Sequence, residues 1–316
     1  MMVVWFVGEG PFAALCLERL NRLIRPLEGW ALTQIITGLP TRSGRGMKET
    51  PSPVEVYAAG VGLPVKRTGR LSQNGELLDA LRSSPPDVIF VIDFGQIIRE
   101  PFLSAPRWGC LNIHPSLLPR WRGAAPIQRA LLNGDPETGV TVFRLVPEMD
   151  AGPVLCQAAV PVGPDAAASE LYKTLSVLGA DIAVEGLGEL LAGKRGFTEQ
   201  DHASATIAAK LAREEFEAAW DWTAFRIHNA ARALDTSGGA FVVLKDGGRL
   251  KLWRTALSDA PEGTPGTVLS LDPEGPVVSC GAGALRLLEV QAPGKRRMRA
   301  SEWARGLRIS TGDRLI

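Results

Sequence analysis

Two polar side chains stand two residues apart in an otherwise apolar stretch of the sequence. They are Asn112 and His114, in the run 111–128, LNIHPSLLPRWRGAAPIQ. On a β-strand both would project from one face, because side chains alternate between the two faces of a strand. Asp150 follows in the segment 149–152, MDAG, and its carboxylate can orient the imidazole. An amide donor, an imidazole that changes charge near neutral pH and a carboxylate together suit acyl transfer to an amine.

The spacing by itself leaves a plainer interpretation open. An Asn-x-His pair at a strand end is often a hydrogen-bonded structural pair. An aspartate before a small residue and a glycine, as in 150–152, is often a turn residue. The catalytic hypothesis therefore needs a longer pattern than these three residues.

A longer pattern surrounds them. Residues 112–119, NIHPSLLP, followed by Arg122, Gly123 and Asp150, resemble the signature of the folate-dependent formyltransferases. That family uses 10-formyltetrahydrofolate as its formyl donor. Residues 120–141, RWRGAAPIQRALLNGDPETGVT, are similar in particular to members that formylate the initiator methionyl-tRNA. The resemblance covers nearly the whole chain, and it implies that the amide, the imidazole and the carboxylate are the catalytic set.

The size and composition of the chain restrict its class. A chain of 316 residues predicts two domains, because single cores rarely grow beyond about 250–300 residues. Hydrophobic residues make up 45% of the chain, which is enough for two buried cores. The formal net charge is only +1, so contact with nucleic acid has to come from local basic patches.

Cysteine and histidine usage argues against a metal site. The four cysteines are far apart and lack metal-ligand spacing, and there are only three histidines. Scattered thiols fit buried structural roles in a reducing cytoplasm. No segment approaches the roughly 18 apolar residues of a membrane span, and residues 1–7 are interpreted as a first strand, not a signal peptide. We expect a cytoplasmic protein without a metal or a membrane partner, and the resemblance implies a monomer.

The first half of the chain alternates between strand-like and helix-like segments. Strands are predicted over 3–7, 30–37, 87–92, 109–113, 140–146 and 154–162. Helices are predicted over 12–23, from 53 onward, and over 126–132 and 166–191. This alternation predicts an α/β fold class, with a Rossmann-like N-terminal domain and a mostly parallel sheet. Open parallel sheets bind ligands at the carboxyl ends of their strands, where Asn112 and His114 are expected.

The composition changes after residue 193. Residues 194–208 are polar and weakly periodic and are predicted to form a linker. A helix-like segment, 223–234, is followed by short strands at 240–244, 249–253, 266–271, 277–280 and 284–290. Short strands at a spacing of roughly 8–12 residues predict a small β-barrel. The resemblance implies a formyltransferase catalytic domain over 1–193 and a C-terminal OB-like tRNA-binding domain over 209–316.

Two segments resemble donor-binding sequences of the family. The loop 94–98, FGQII, follows a predicted strand where the family usually has Tyr-Gly-Leu-Ile-Leu, and an ordinary buried loop stays open as the alternative. The resemblance implies pterin contacts for Phe94, Gly95, Gln96 and Ile97. It implies further donor contacts for Ser116, Leu117, Leu118 and Pro119.

The first glycine-rich turn departs from the family. Residues 8–13 read GEGPFA where the family often has Gly-Thr-Pro-x-Phe-Ala, which leaves a substrate contact at this turn open. Gly8-Glu9-Gly10 lacks the third glycine of a dinucleotide-binding loop, so the pattern predicts a tight turn.

Local basic clusters are the candidates for tRNA contact. Residues 41–48, TRSGRGMK, resemble the tRNA-binding insertion of the family, which implies contacts for Arg42, Arg45 and Lys48. A second cluster, 295–299, implicates Lys295 and Arg296. Charges of this kind also occur on purely solvated loops, and that alternative stays open.

The same motif suits other formyl acceptors. A sugar-nucleotide N-formyltransferase is the main rival, because it can share both domains, although the basic loop 44–48 would not be expected in it. A glycinamide-ribonucleotide formyltransferase needs no second domain of this size. A folate-dependent hydrolase or dehydrogenase would lack the tRNA loop. A non-catalytic RNA-binding protein on this scaffold would not need the intact polar triad.

Overall fold

The structure is a computed structural model of the chain, and it describes residues 1–43, 48–261 and 263–315. The helices are α1 (Pro11–Ile24), α2 (Pro53–Gly60), α3 (Gly75–Ser83), α4 (Pro126–Asn133), α5 (Ala168–Leu191), α6 (Ala224–Ala233) and α7 (Ala300–Gly306). The strands are β1 (Met2–Gly8), β2 (Trp30–Gly38), β3 (Thr41–Ser43), β4 (Lys48–Thr50), β5 (Val65–Thr68), β6 (Val88–Ile92), β7 (Cys110–His114), β8 (Arg122–Gly123), β9 (Glu137–Arg144), β10 (Val154–Pro161), β11 (Ile207–Ala208), β12 (Ala240–Val243), β13 (Arg249–Ser258), β14 (Val268–Leu271), β15 (Pro276–Ser279), β16 (Ala284–Gln291) and β17 (Met298–Arg299).

The chain forms two compact units. The first comprises Met1–Gly123, Glu137–Val160 and Tyr172–Ile207, and the second comprises Ala124–Pro136, Pro161–Leu171 and Ala208–Ile316. Two short segments inside the predicted domain 1–193 thus group with the C-terminal part of the chain. The division of the chain by function stays a prediction.

The first unit is built on a seven-stranded sheet in the order β10-β9-β7-β6-β1-β2-β5. The pairs β1–β2, β1–β6, β2–β5 and β6–β7 are parallel, and β7–β9 is antiparallel. All five residues of β6, VIFVI, are buried, as is typical of a parallel strand covered on both faces. The predicted α/β class with a mostly parallel sheet is confirmed.

One face of this sheet carries the hydrophobic cluster against which α3 packs. From the strands the cluster includes Ile89, Val91 and Cys110, and from α3 it includes Leu77 and Leu81. Side chains that follow Cys110 along β7 at steps of two point to the same face. The amide and the imidazole of the sequence motif therefore stand on the α3 face, at the carboxyl end of the strand.

Helix α5 packs on the opposite face of the sheet. A Cβ atom on Gly179 would lie 2.4 Å from Cγ2 of Ile113 and 2.8 Å from Cγ2 of Val140. Helix α1 is joined to α5 by a hydrogen-bonded ion pair between Arg19 and Asp181, at 2.6 Å. The absence of a side chain at Gly179 lets α5 approach β7 and β9 closely enough to cover them.

The second unit holds a separate antiparallel sheet in the order β12-β13-β16-β15-β14, with β17 paired to β16. Its core contains Trp220, Ile227, Leu252, Leu287 and Trp303, so α6 and α7 contribute to it along with the strands. The predicted second domain of short strands is confirmed as an antiparallel-sheet unit.

The thiols are part of the packed interior. All four cysteines are free and buried. Burial raises the pKa of Cys110 and that of Cys280 to about 12, so both thiols stay protonated near neutral pH. The described residues contain no cluster of three or more His, Cys, Asp or Glu that could hold a metal ion. Nor does any helix in the described parts of the chain have the length and apolar character needed to cross a membrane.

The structure adds elements that the sequence analysis did not predict, among them β5, α3 and α7. Helix α3 follows Asn74, whose side chain accepts a hydrogen bond from the N–H of Leu77 at 3.1 Å. Asparagine is a preferred N-cap residue, so the start of this helix is predictable from the sequence. The predicted linker 194–208 contains a short 3-10 turn, His202–Ser204, and ends in β11, which pairs with β8. The segment is thus an ordered part of the protein.

We expect Gly179→Ala to lower the midpoint of urea unfolding. The added methyl would overlap Ile113 and Val140, and overpacking of a core costs about 1–3 kcal/mol. Gly188→Ala on the same helix is the matched control, since no heavy atom lies within 4 Å of its added Cβ. There the loss of glycine should stabilise by about 0.5–1 kcal/mol. Circular dichroism would report the two opposite shifts, and equal shifts would contradict the close packing of α5 on β7.

Candidate active site

Strand β7 places Asn112 and His114 at the carboxyl edge of the parallel sheet. It runs between β6 and β9, with Asn112 opposite Phe143 and His114 opposite Thr141. His114 is 5% exposed, and its ring meets Phe143 edge-on with 6.4 Å between the ring centroids. The imidazole therefore has a fixed position at the end of the strand.

The loop after β7 folds back and binds one nitrogen of this ring. His114 Nε2 lies 2.8 Å from the carbonyl oxygen of Trp121, which can only accept a hydrogen bond. Nε2 must therefore carry a proton, and Nδ1 is left for proton transfer or for contact with a substrate. Nδ1 faces Asp150, with 3.8 Å between Nδ1 and Oδ2.

Asp150 is held by the same loop. Its Oδ2 accepts a hydrogen bond from the N–H of Gly123 at 2.8 Å, and its side chain is 13% exposed. Its φ of +50° lies in the left-handed region, which non-glycine residues rarely adopt. Two residues later, a Cβ on Gly152 would lie 1.8 Å from the carbonyl oxygen of Arg144, so only glycine fits. The conformation of this turn directs the carboxylate towards His114.

Asn112 stands one strand repeat before the imidazole, about 6.6 Å along β7. It is half-buried, and its amide makes no hydrogen bond to any residue in the described parts of the chain. An unengaged amide on this face can donate to an oxygen that develops negative charge. The structure thus brings His114 and Asp150 together and places Asn112 on their face of the strand.

The other two histidines have different surroundings. In the second unit, His228 is buried, with Nδ1 at 2.9 Å from Thr255 Oγ1 and Nε2 at 2.9 Å from the carbonyl oxygen of Pro164. Burial lowers the pKa of His228. His202 is exposed, and its Nδ1 accepts a hydrogen bond from Arg122 at 3.0 Å. Among the three, His114 is the histidine at the edge of the parallel sheet.

The predicted pterin loop, 94–97, follows β6 at the same edge. Phe94 is half-buried and Ile97 is 72% exposed. The side chain of Gln96 is engaged within the protein: it accepts from the N–H of Leu71 at 3.0 Å and donates to the carbonyl oxygen of Gly69 at 2.9 Å. The backbone N–H groups of 94–97 donate to no residue that the structure describes. The loop therefore offers apolar surface together with free backbone donors.

The second predicted donor segment, 116–119, has most of its polar groups satisfied internally. The Ser116 hydroxyl is fully buried and donates to the carbonyl oxygen of Arg120 at 2.6 Å. The N–H of Leu118 donates to Thr141 Oγ1 at 3.0 Å, and the carbonyl oxygen of Leu118 accepts from Gln157 at 2.7 Å. These contacts hold the turn that follows His114. Donor contacts by Ser116, Leu117, Leu118 and Pro119 stay a prediction.

Two carboxyl groups follow the neighbouring strands β1 and β6. The N–H groups of Glu9 and Gly10 donate to the carbonyl oxygen of Asp93, at 3.1 and 3.3 Å. The carboxyl group of Asp93 lies against Gly10 and accepts hydrogen bonds from Phe12 and Ala13 at the start of α1. Desolvation of this carboxyl group raises the pKa of Asp93, although the two hydrogen bonds oppose the rise. Burial, and then the charge of Asp93, raises the pKa of Glu9.

The predicted tRNA-binding residues are spread over both units. Arg45 lies outside the described residues. Arg42 and Lys48 belong to the two strands of the hairpin β3–β4 in the first unit. Lys295 and Arg296 are exposed in the second unit, between β16 and β17. Contact of these five residues with tRNA stays a prediction.

Several site groups have no signal in the sequence. The carbonyl of Trp121 and the N–H of Gly123 are backbone groups, which carry no side-chain signature. Arg122 is buried and bonded to Gln200 and His202, so it is part of the interior rather than a free cation. The motif Arg122-Gly123 was visible in the sequence, but its partners were not.

Comparison with known proteins identifies the class. The profile of the formyl transferase family matches residues 1–187, and the profile of the formyl transferase C-terminal domain matches residues 210–308. A variant of HypX from Aquifex aeolicus has the same fold, with a TM-score of 0.65, 18% identity and coverage of 99% of this chain and 49% of HypX. An N-formyltransferase from Helicobacter canadensis also has this fold, with a TM-score of 0.64 and 18% identity. The match covers 91% of this chain and 99% of that protein.

The chain belongs to the formyl transferase family, and it is an enzyme of formyl-group transfer. Its sequence relatives indicate which kind of formyl transferase it is similar to. The methionyl-tRNA formyltransferase of Methylobacterium nodulans is 42% identical over 315 residues, which are 99% of this chain and 98% of that protein. The methionyl-tRNA formyltransferase of Aromatoleum aromaticum is 40% identical over 311 residues, which are 98% of this chain and 96% of that protein.

The raised pKa values of Glu9 and Asp93 predict a pH-dependent stability. Each group holds its proton to higher pH in the folded protein than in the unfolded chain. Their stabilising contribution is therefore complete below their ordinary pKa values and is lost as pH rises through the raised values. We expect Glu9→Gln to lose less stability than the parent between about pH 4 and pH 7. Urea unfolding at several pH values across that range measures the free energy of unfolding of both proteins.

An exposed glutamate elsewhere provides the control for that experiment. Glu28→Gln removes a carboxylate in the turn after α1 and should follow the parent protein at every pH. If Glu9→Gln also followed the parent, the Glu9 carboxyl group would not be coupled to its surroundings as described.

Proposed function

We propose that this enzyme transfers the formyl group of 10-formyltetrahydrofolate to the free amino group of initiator methionyl-tRNA. The observation that carries the proposal is the fixed His114–Asp150 pair at the sheet edge, with the unengaged Asn112 amide on the same face. It is supported by relatives named methionyl-tRNA formyltransferase that are 40–42% identical over nearly their whole length. The product is N-formylmethionyl-tRNA for translation initiation, and we place the reaction in the cytoplasm.

The amide of Asn112 suits the charge that develops during transfer. The amine lone pair attacks the formyl carbon, a C–N bond forms, and the carbonyl π electrons move to the oxygen. Asn112 donates a hydrogen bond to that oxygen, and one such donor lowers the barrier by about 3–4 kcal/mol. The bond from the formyl carbon to N10 then breaks, N10 keeps the electron pair and gains a proton, and the attacking amine loses one.

His114 and Asp150 are the residues placed to carry out the proton transfers. Because Nε2 is bound to Trp121, His114 can give or take a proton only through Nδ1. Asp150 Oδ2 is held by Gly123, while Oδ1 meets no partner among the residues that the structure describes. Two roles fit this geometry: Asp150 stabilises a protonated His114, or it takes the proton of the amine through a water molecule.

The loop 94–97 fits the donor. A pterin ring has two flat apolar faces and a rim of hydrogen-bonding atoms, which need an apolar wall and a few well-placed polar groups. Phe94 and Ile97 supply apolar surface, and the free N–H groups of the loop supply donors. The side chain of Gln96 anchors the loop by accepting a hydrogen bond from the N–H of Leu71. We assign pterin binding to this loop, and further donor contacts by the turn 116–119 stay part of the proposal.

The second unit has a surface suited to nucleic acid. The guanidinium of Arg249 lies 4.7 Å from the ring centroid of Phe241, and that of Arg297 lies 5.2 Å from the ring of Trp253. Cations beside aromatic rings bind phosphates and stack with bases. Together with exposed Lys295 they are the candidate phosphate contacts of this unit, and Arg297 is also ion-paired with Glu289. We assign tRNA binding to 209–316 and the chemistry to 1–193, joined by 194–208.

A sugar-nucleotide acceptor is the second candidate. The Helicobacter canadensis N-formyltransferase, whose crystals held folinic acid and dTDP-3-aminofucose, shares the fold over 91% of this chain. The shared architecture therefore does not separate the two acceptors. The basic loop 44–48 and the identity to the tRNA-specific relatives favour tRNA.

One assay separates the candidates. The purified chain is mixed with 10-formyltetrahydrofolate and, in parallel reactions, with charged initiator methionyl-tRNA and with an amino-sugar nucleotide. We expect formylation of the charged tRNA only. Formylation of the sugar nucleotide alone would overturn the proposal, and formylation of neither would leave the donor assignment without support.

Removal of the proposed oxyanion donor or of the imidazole should stop transfer while the fold survives. We expect Asn112→Ala and His114→Ala each to lower kcat by about 100-fold or more, the typical effect of one oxyanion donor. Asn21→Ala is the matched control, because that side chain bonds to Tyr57 in the α1–α2 contact, at 3.1 Å. Near-normal turnover in either folded site variant would exclude that residue from the chemistry.

A substitution at Arg45 tests whether charged tRNA is the acceptor. Arg45 lies outside the described residues, but the strands on either side of it, β3 and β4, follow the carboxyl end of β2 along the chain. We expect Arg45→Ala to weaken use of charged tRNA, to leave donor binding intact, and to reduce the salt-dependence slope by about one. Arg25→Ala, an exposed arginine after α1, is the control. Unchanged tRNA kinetics would favour a solvated loop, and loss of donor binding would assign the loop to the folate site.

A further inference from the structure

Gln200 is a buried polar residue in a segment that is mostly exposed. It is 7% exposed, although its neighbours Glu199 and Asp201 are both exposed. Burial of an amide without hydrogen bonds costs free energy, so a buried glutamine in such a segment must have partners that hold it there.

All the hydrogen-bonding groups of this side chain are used. Nε2 donates to the carbonyl oxygens of Asp150 and Gly152, at 2.9 and 2.7 Å. Oε1 accepts from Nε and Nη2 of Arg122, at 3.1 and 2.7 Å. Two donors and two acceptor positions are the full capacity of a carboxamide. The pattern also fixes the orientation of the amide, because Arg122 can only donate and the carbonyls can only accept.

These four bonds join the two loops of the candidate active site. One loop is the turn of Asp150, whose left-handed backbone is held by the bonds to the carbonyl oxygens of Asp150 and Gly152. The other is the segment around Arg122. Its neighbour Trp121 binds His114 Nε2, and its neighbour Gly123 binds the Asp150 carboxylate. Gln200 therefore sets the distance between the two loops and, through it, the geometry of the His114–Asp150 pair.

The same segment supports the second loop again a few residues later. The N–H of Trp121 donates to Thr206 Oγ1 at 2.9 Å, and the N–H of Arg122 donates to the carbonyl oxygen of Thr206 at 2.8 Å. A stretch that the sequence marks as a linker thus buttresses the active site at Gln200 and at Thr206.

We propose that Gln200 is a positioning residue for formyl transfer, acting through the backbone of Asp150 and through Arg122; the inference rests on the proposed roles of His114 and Asp150. All four hydrogen bonds of the Gln200 side chain are made within the protein. Gln200 keeps the carboxylate at the place where it can face Nδ1 of His114. Misplacement of a catalytic group by about 1 Å can cost on the order of 100-fold in rate, so this support belongs to the catalytic step.

The first test compares Gln200→Met with the exposed Gln73→Met. Methionine has nearly the volume of glutamine but makes none of the four bonds. We expect Gln200→Met to lower kcat by about 10- to 100-fold, with KM for the donor and for the charged tRNA within about 2-fold of the parent. Gln73→Met should change neither. A raised KM with an unchanged kcat would overturn the proposal.

The second test asks whether Gln200 acts through Asp150. If it does, the loss of rate in the double variant Gln200→Met/Asp150→Asn should be much smaller than the product of the two single losses, because the carboxylate that Gln200 positions is already lost. Rate losses that multiply in full would show that Gln200 does not act through Asp150 and would overturn the inference.

A spectroscopic measurement keeps the inference separate from the identity of the acceptor. The chain has three histidines, so nitrogen NMR of the side chains resolves few imidazole signals. We expect the His114 signals to shift in Gln200→Met and to stay in Gln73→Met, whether or not the enzyme accepts charged tRNA. If parent protein formylates no tRNA but His114 responds in this way, the proposed function fails and the positioning role stands. Unchanged His114 signals would overturn it.

A second variant covers the case in which Gln200→Met does not fold. Gln200→Glu keeps the shape and the contact to Arg122 but turns the donor into an acceptor that faces two carbonyl oxygens. The same loss of kcat and the same shift of the His114 signals are expected from it, and parental values for both would overturn the proposal.

Discussion

The hydrogen bond between His114 and the carbonyl oxygen of Trp121 is the contact on which the geometry of the candidate site depends. At 2.8 Å it determines which ring nitrogen holds a proton and which faces Asp150. It also requires the chain to turn back over the end of β7. Two residues distant in sequence hold that turn: the Thr141 hydroxyl accepts a hydrogen bond from the N–H of Leu118, and the Thr206 hydroxyl accepts one from the N–H of Trp121. The orientation of one imidazole thus depends on three separate parts of the chain.

The parallel sheet explains why these parts meet. Strands β1, β6 and β7 are neighbours, and their carboxyl ends lie at one edge. Adjacent strands are about 4.8 Å apart, so groups that follow β1 and β7 lie about 10 Å from each other. Glu9 and Asp93 stand towards one side of the edge and Asp150 towards the other.

The proposed function sets the two units different physical problems. Proton transfer and oxyanion stabilisation need few groups in one geometry, shielded from water, and the first unit supplies these with buried His114 and a tightly turned Asp150. Contact with a polyanion needs many exposed cations and tolerates motion in each of them. The second unit carries such cations beside the rings of Phe241 and Trp253.

The sequence by itself determined the fold class, the strand that carries Asn112 and His114, and the family of the enzyme. These follow from local properties, because apolar periodicity marks strands and helices, and a run of motif residues is read without knowledge of the fold. Only the tertiary structure decided the partner of His114 Nε2, the inward position of Ser116, and the burial of Gln200 in a polar stretch. The partners of these groups are backbone atoms or residues distant along the chain, and 50 positions separate Gln200 from Asp150. Backbone groups are the same in every residue, so no sequence pattern identifies which of them will meet once the whole chain has folded.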